Sequence, residues 1–400
     1  MATQVIRQVR SASSRSRDSR LDYPLFVVTG VLVAFGMMMV YSTTFDWGYQ
    51  EYGDSAHFLT RQALWLVLGL AAMWLMMRAD YSVWHRFSIP LMGAALAVLI
   101  AVLLFGQERF NAQRALFNGS IQPAELVKLI AVIYIADWIS SKGEKIRNVS
   151  YGLIPFAVLI GVIAGLVVLQ PDFSTAAVIV TVAGIMFFLA GADVKQIVLG
   201  VLIAGATFLL LVSNSTYAQE RIQSYVAALN DPTQASYHVQ QAIIALGSGG
   251  LLGVGPGASR QKFGYLPFPH TDSVFAVLGE ELGLIGALIV ISLFAILAYR
   301  GFRIALRAPD LFGTLIATGV TCWIVIEATA NVAVMTGVLP LTGTPLPFVS
   351  YGGSSLVSLL AGIGLLQSIA RGSRRGLTSN ALVDRRRRNG RPRLSRIGGR

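Results

Sequence analysis

Side chains able to do chemistry are scarce in this 400-residue chain, of which only 13% is charged. Asp272 stands where a polar, glycine-rich stretch meets a long apolar run. A carboxylate with one apolar side can be tuned toward the working range of a general base. A helix N-cap or first-turn acid, favoured by the helix dipole, explains the same residue. Glu125 and Lys128 are spaced i,i+3 in an apolar run, so one helix face presents both, as a structural staple or as the wall of a functional cavity. Glu280 and Glu281 are adjacent and point about 100° apart on a helix, so at most one of them shares a cavity with Asp272. Glu327 lies deep in another apolar run and needs a partner that the sequence does not name. The four histidines (His57, His85, His238 and His270) lack HExxH or CxxC spacing, which argues against a zinc site. Ser350, Ser354 and Ser355 flank Gly352-Gly353 without a GxSxG elbow, so a turn role suits them.

The elements that must position these groups are helices in lipid. The chain is 54% hydrophobic with a mean hydropathy of +0.63. Ten apolar stretches approach the length needed to cross hydrocarbon: Leu25–Ser42, Ala63–Met77, Ile89–Phe105, Ala124–Ile139, Leu153–Leu169, Thr175–Ala190, Ile197–Ser213, Ser273–Tyr299, Leu311–Gly337 and Ser354–Ala370. The fold class is all-α, a polytopic membrane protein of about ten spans. The first stretch follows a basic segment but no small-residue cleavage site follows it, so it reads as an uncleaved span. Cys322 is the single cysteine, which excludes an internal disulfide.

With the N-terminus in the cytoplasm and the spans alternating, cytoplasmic segments hold 25 of the 32 lysines and arginines, as the positive-inside rule requires. Both termini are then cytoplasmic. Residues 1–24 and 371–400 read as basic, disordered tails around a 25–370 membrane domain, and their arginines suit anionic lipid rather than nucleic acid. The cytoplasmic loops are short. The large extracytoplasmic loop, 214–272 between spans 7 and 8, and a Pro/Gly-rich connection, Val338–Gly353, offer the non-helical chain that a pocket needs. The glycines of Gly247–Gly257 read as flexible turns, or as a backbone nest beside Arg260 and Lys262 that holds an outward-facing phosphate. No strand precedes them and Pro256 interrupts them, so a nucleotide fold is rejected.

Several strings together resemble the SEDS family of cell-wall polymerases, which includes FtsW, RodA and SpoVE. They are Gln122-Pro-Ala-Glu-Leu-Val-Lys128, Gln170-Pro-Asp-Phe-Ser-Thr175, Gly255-Pro-Gly-Ala-Ser-Arg-Gln-Lys262, Tyr265-Leu-Pro267, His270-Thr-Asp272, Gly279-Glu-Glu-Leu-Gly-Leu-Ile-Gly286 and Pro345-Leu-Pro-Phe-Val-Ser-Tyr-Gly-Gly-Ser-Ser355. They run in order along nearly the whole membrane region. Gly279-Glu-Glu, Met38-Met-Val-Tyr-Ser42 and the basic tails lean toward FtsW over RodA. The resemblance implies a peptidoglycan glycosyltransferase that polymerises lipid II outside the bacterial cytoplasmic membrane, beside a class B penicillin-binding protein and other divisome or elongasome proteins. It implies Asp272 as the catalytic acid, Glu125–Lys128 as the intramembrane pair, and Arg114 and Lys262 as the loop arginine and the lysine before Tyr-Leu-Pro. Arg221, Arg260 and His270 join these as substrate-binding candidates, with Glu280, Glu281, Asp172 and Ser350 as supports. The chain departs from the family pattern at Phe268, Ser273, Ala115, Ser174 and His238.

A single displacement, with Asp272 as base, inverts the anomeric carbon. A retaining route needs a second carboxylate close by, and eight helical residues put Glu280 about 12 Å from Asp272. The departing diphosphate calls for outer cations. The sequence names no specific cofactor; a divalent cation (Mg or Mn) could assist, though no carboxylate cluster demands one. A flippase or transporter of lipid-linked precursor, or a non-catalytic divisome scaffold, would share the helices, the buried charges and the tails.

Overall fold

The computed structural model describes the backbone of residues 21–105, 107–109, 112–115 and 122–389, and the side chains of these except 107–109, 112–115, 217, 232 and 373–389. The helices are α1 (Tyr23–Tyr52), α2 (His57–Arg78), α3 (Val83–Phe105), α4 (Pro123–Lys142), α5 (Ile154–Val168), α6 (Phe173–Leu189), α7 (Val194–Ser213), α8 (Thr216–Asn230), α9 (Tyr237–Gly249), α10 (Val274–Ala305), α11 (Leu311–Met335) and α12 (Gly353–Asn389). A short antiparallel ladder, β1 (Gln107–Arg109) with β2 (Ala112–Ala115), interrupts the helical pattern between α3 and α4. Among the described residues eight helices are long and apolar enough to cross a membrane, one of them the α5 segment counted from Val149. The ten stretches marked on the sequence fall on α1–α7 and α10–α12. Of these, α6 is shorter, at 17 residues, and α4 carries Glu125, Lys128, Asp137 and Lys142. Helix α12 runs on to Asn389, beyond the limit of 370 set for the membrane domain.

Burial sorts the helices. The centre is α11 with the first half of α12, where Leu315, Val320, Trp323, Ile324, Leu359 and Leu365 are all but sealed. Helix α7 is the opposite: Val201, Leu202, Leu209 and Leu210 are each more than 60% exposed, which lipid tolerates because a helix satisfies its own backbone. Glycines let helices close together: a Cβ on Gly364 would sit 2.4 Å from the Met73 carbonyl oxygen, so α12 lies directly on α2.

One end of the bundle is tied by polar contacts. Arg300 Nε donates to Asp22 Oδ1 at 3.0 Å, and Gln367 brackets Asp22 by accepting from its N–H and donating to its carbonyl. Tyr81 donates to Asp310 at 2.9 Å. Arg78, Arg303 and Arg307 belong to this same end.

At the other end, the long connection was expected to be non-helical, yet it carries α8 and α9. Apolar residues at helical spacing (Ile222, Tyr225, Val226, Leu229; Val239, Ala242, Ile243, Leu246) explain both. Helix α9 descends alongside α10, the chain turns at Gly250–Gly255, and residues 256–272 climb back to the head of α10. Gly283 breaks α10 at φ 69°. The freed groups pair with the turn: Val254 and Gly255 N–H donate to the Glu280 and Glu281 carbonyls, and Leu284 and Ile285 N–H donate to the Gly250 and Leu251 carbonyls, all at 2.9–3.2 Å. Irregular backbone at this depth, about 12 Å below the head of α10, persists because protein satisfies it.

Candidate active site

Asp272 lies immediately before α10, half-buried, at the end opposite the Arg300–Asp22 contact. Its stretch of main chain is held by α11 and by the connection from α11 to α12. Tyr351 N–H donates to the His270 carbonyl at 2.8 Å, Ser350 Oγ to the Thr271 carbonyl at 2.6 Å, and Asn331 Nδ2 to the Asp272 carbonyl at 2.7 Å. Asn331 also donates to the Thr344 carbonyl at 2.7 Å, tying both strands of chain together. Gly343 makes room for the carboxylate: a Cβ there would lie 3.4 Å from Asp272 Oδ2, and its φ of +73° favours glycine in any case. Ser350, read as a turn residue and a support, thus positions the segment directly. Asn331 escaped the sequence reading, although a lone amide in an apolar span is the kind of signal that marks such a role.

His270 packs between Trp47 and Tyr351, with ring centroids at 5.0 and 6.1 Å. Burial pushes its imidazole down to about 4, so it is neutral at neutral pH. Arg221 on α8 donates to the Leu341 carbonyl at 2.8 Å, and Tyr225 to the Val338 carbonyl at 2.7 Å. Both therefore grip the connection that holds Asp272. Two departures from the family pattern meet here, because His238 Nε2 is hydrogen-bonded to Ser273 Oγ.

Lys262 is placed differently from the expectation that it faces a phosphate. It is buried, and its ammonium bonds Glu281 Oε1 at 2.9 Å, the Gly257 carbonyl at 2.7 Å and Ser42 Oγ at 3.0 Å. Glu280 accepts from Ser259 Oγ and from the Arg260 N–H at 2.9 Å. These two acids therefore anchor the returning arm. The N–H groups of Gly253 and Gly255 are spent on the Gly249 and Glu281 carbonyls, which opposes an anion nest there. Arg260 is exposed on the same arm. Asp172 caps α6, accepting from Thr175 N–H at 3.1 Å and from Ser174 Oγ at 2.9 Å. The Arg114 side chain lies outside the described residues, as does that of Ala115.

Glu327 finds its partner in Lys128, which bonds Glu125 Oε1 at 2.8 Å and Glu327 Oε1 on α11, with the Trp323 ring 5.3 Å from the ammonium. Trp323, Glu327 and Asn331 recur every four residues along α11, so the buried ion cluster and the support of Asp272 share one helix face. Among the described residues no three His, Cys, Asp or Glu side chains group to hold a metal ion.

The geometry thus sets one carboxylate, braced through its backbone, at one end of a lipid-embedded bundle. Residues 23–375 match the family described as cell cycle protein, FtsW/RodA/SpoVE. The chain belongs to this family. Its relatives include stage V sporulation protein E of Bacillus subtilis (strain 168), 39% identical over 88% of this chain and 98% of the relative. A probable peptidoglycan glycosyltransferase FtsW of Trichlorobacter lovleyi is 37% identical over 89% of this chain and 94% of its own. Among solved structures, the fold is similar to a chain of a peptidoglycan synthase complex described as coordinating polymerization and crosslinking. That match has a TM-score of 0.72 and 28% identity, covering 88% of this chain and 98% of that one. The rod shape determining protein RodA of Thermus thermophilus matches with a TM-score of 0.65 and 28% identity, covering 88% of this chain and 97% of that one. Family membership accounts for the multi-pass helical fold and for the order of the motifs around Asp272.

Proposed function

We propose that this protein is a peptidoglycan glycosyltransferase that polymerises lipid II at the outer face of the bacterial cytoplasmic membrane, with Asp272 as the general base. The observation that carries the reading is the Asp272 segment itself. Three successive carbonyls, of His270, Thr271 and Asp272, are fixed by hydrogen bonds, so the carboxylate is presented in a set direction. The basic end of the bundle supports placing Asp272 outside, because arginines gather at the opposite end.

Two lipid-linked disaccharides meet at Asp272 with their polyprenyl tails in the bilayer. Asp272 accepts the proton of the acceptor hydroxyl as that oxygen bonds to the anomeric carbon of the donor. The bond from that carbon to the diphosphate breaks, and the polyprenyl diphosphate leaves with the electron pair. The displacement inverts the anomeric centre. Glu280 and Glu281 are occupied within the returning arm, so neither supplies the nucleophile of a retaining route. Arg114, Arg221 and Arg260 are the outer cations for the diphosphate. Lys262 acts from within the fold by holding the arm to Glu281. A divalent cation (Mg or Mn) would arrive bound to the diphosphate it neutralises. The partner is a class B penicillin-binding protein that crosslinks the product, and the setting is cell division, given relatives named FtsW.

The test gives lipid II to the purified protein together with its transpeptidase. Glycan polymer from the wild type and none from Asp272→Ala is expected. Movement of lipid II across vesicles without polymer would favour a flippase. Equal absence of polymer from both, with the transpeptidase still bound, would leave a scaffold.

A further inference from the structure

The residue on the far side of Asp272 from its carbonyl braces is Ser273, the N-cap of α10. A serine at this position ordinarily turns its hydroxyl inward to accept from a first-turn N–H. Ser273 makes no such bond. Its Oγ instead donates to the Pro267 carbonyl at 2.7 Å and is bonded to His238 Nε2. A hydroxyl has one proton. With that proton on the Pro267 carbonyl, the contact with His238 requires Nε2 to be the donor. Ser273 is fully buried and His238 nearly so, and no water is needed to complete the chain from α9 to the returning arm.

We propose that His238 is a positioning residue for Asp272, its Nε2–H holding Ser273 Oγ out of the capping position and thereby fixing the Asp272–Ser273 peptide. The inference rests on the reading of Asp272 as base. The physical content is a competition. Ser273 sits at φ −96°, ψ 9°, whereas N-cap residues favour extended backbone. Without the His238 donor, only the Pro267 carbonyl holds the hydroxyl, whose oxygen can then accept from a first-turn N–H of α10 as the serine backbone relaxes toward the extended region and the preceding carboxylate swings. The carbonyl braces at His270, Thr271 and Asp272, and the bond from the Ser273 N–H to the Phe268 carbonyl at 3.2 Å, limit that swing but do not reach the Ser273 side chain. Burial and the Arg221 charge push the His238 imidazole down to about 4, so at neutral pH it is uncharged, and the Ser273 contact places its single proton on Nε2.

The experiment measures lipid II polymerisation by the protein with its transpeptidase. Wild type and Asp272→Ala run alongside, so that failure of the enzymatic reading shows separately as Asp272→Ala polymerising normally. His238→Ala is expected to lower kcat about tenfold or more while KM stays within about twofold, because a misdirected base costs rate and not binding. His238→Gln, whose carboxamide also donates at that reach, is expected to recover to within about threefold of wild type. Adding Ser273→Ala to His238→Ala, which removes the competing cap, is expected to recover part of the lost kcat. A His238→Gln variant as slow as His238→Ala, a rise in KM at constant kcat, or full activity of His238→Ala would each overturn the proposal. Should His238→Ala fail to fold, His238→Phe, which fills the space and cannot donate, takes its place: a lower kcat at constant KM supports the brace, and unchanged kinetics overturn it.

Discussion

Lys128 sits between two carboxylates with its side chain 2% exposed, which fixes what each residue of the cluster does for the others. One ammonium serves Glu125 and Glu327, and Glu125 Oε2 is buried without a hydrogen-bond partner. Removing the cation would leave acids facing each other in a medium that cannot solvate them. Lys128→Met is therefore expected to cost about 3–5 kcal/mol, seen as a lower thermal midpoint in detergent. Adding Glu125→Gln and Glu327→Gln is expected to regain most of it. A lone Lys128→Met that melts like wild type would show the cluster to be dispensable for stability. The Glu125–Lys128 half was legible from i,i+3 spacing. The other half was not, because Glu327 lies 199 positions away and only packing of α11 on α4 brings it in. Asn331 was missed for the same reason: its partners are carbonyls, which leave no trace in residue types.

At the scale of elements, the glycine run shows how one composition serves different ends. The sequence permits flexible turns or an anion nest, and the structure uses the run for contact with α10. A Cβ on Gly253 would lie 2.1 Å from the Glu281 carbonyl oxygen, and one on Gly283 would lie 2.4 Å from Gly253 N. Both residues also have positive φ. Gly253→Ala and Gly283→Ala are each expected to destabilise by at least about 2 kcal/mol, through strain and overlap together. Gly247, in α9 with nothing within 4 Å of its Cβ position, makes the control. Gly247→Ala is expected to be neutral or to stabilise by up to about 1 kcal/mol. Thermal midpoints of the three variants decide, and equal behaviour of all three would refute the packing role. A run of small residues states that backbone comes close; it does not state to what.

The whole molecule is ordered by where its charges fall. Apolar length made the helices at the marked stretches readable, eight of them among the described residues long and apolar enough to cross a membrane, since hydrocarbon thickness dictates both length and composition. Helices α8 and α9 were not readable on that scale, because their signal is amphipathic and short. The arrangement predicts sidedness. Cys322, the single cysteine, is 6% exposed, so introduced thiols can be labelled against a quiet background. An impermeant maleimide applied to intact cells is expected to label Tyr265→Cys on the returning arm and to spare Lys145→Cys after α4. The reverse pattern would invert the topology and put Asp272 on the wrong side of the membrane.

The most direct measurement is a single-turnover assay of lipid II polymerisation comparing wild type with Asp272→Asn, which keeps the shape and removes the base. The account predicts a rate lower by about 10²–10⁴, the range a general base supplies, with lipid II still bound and the thermal midpoint unchanged. A rate within about threefold of wild type would contradict it.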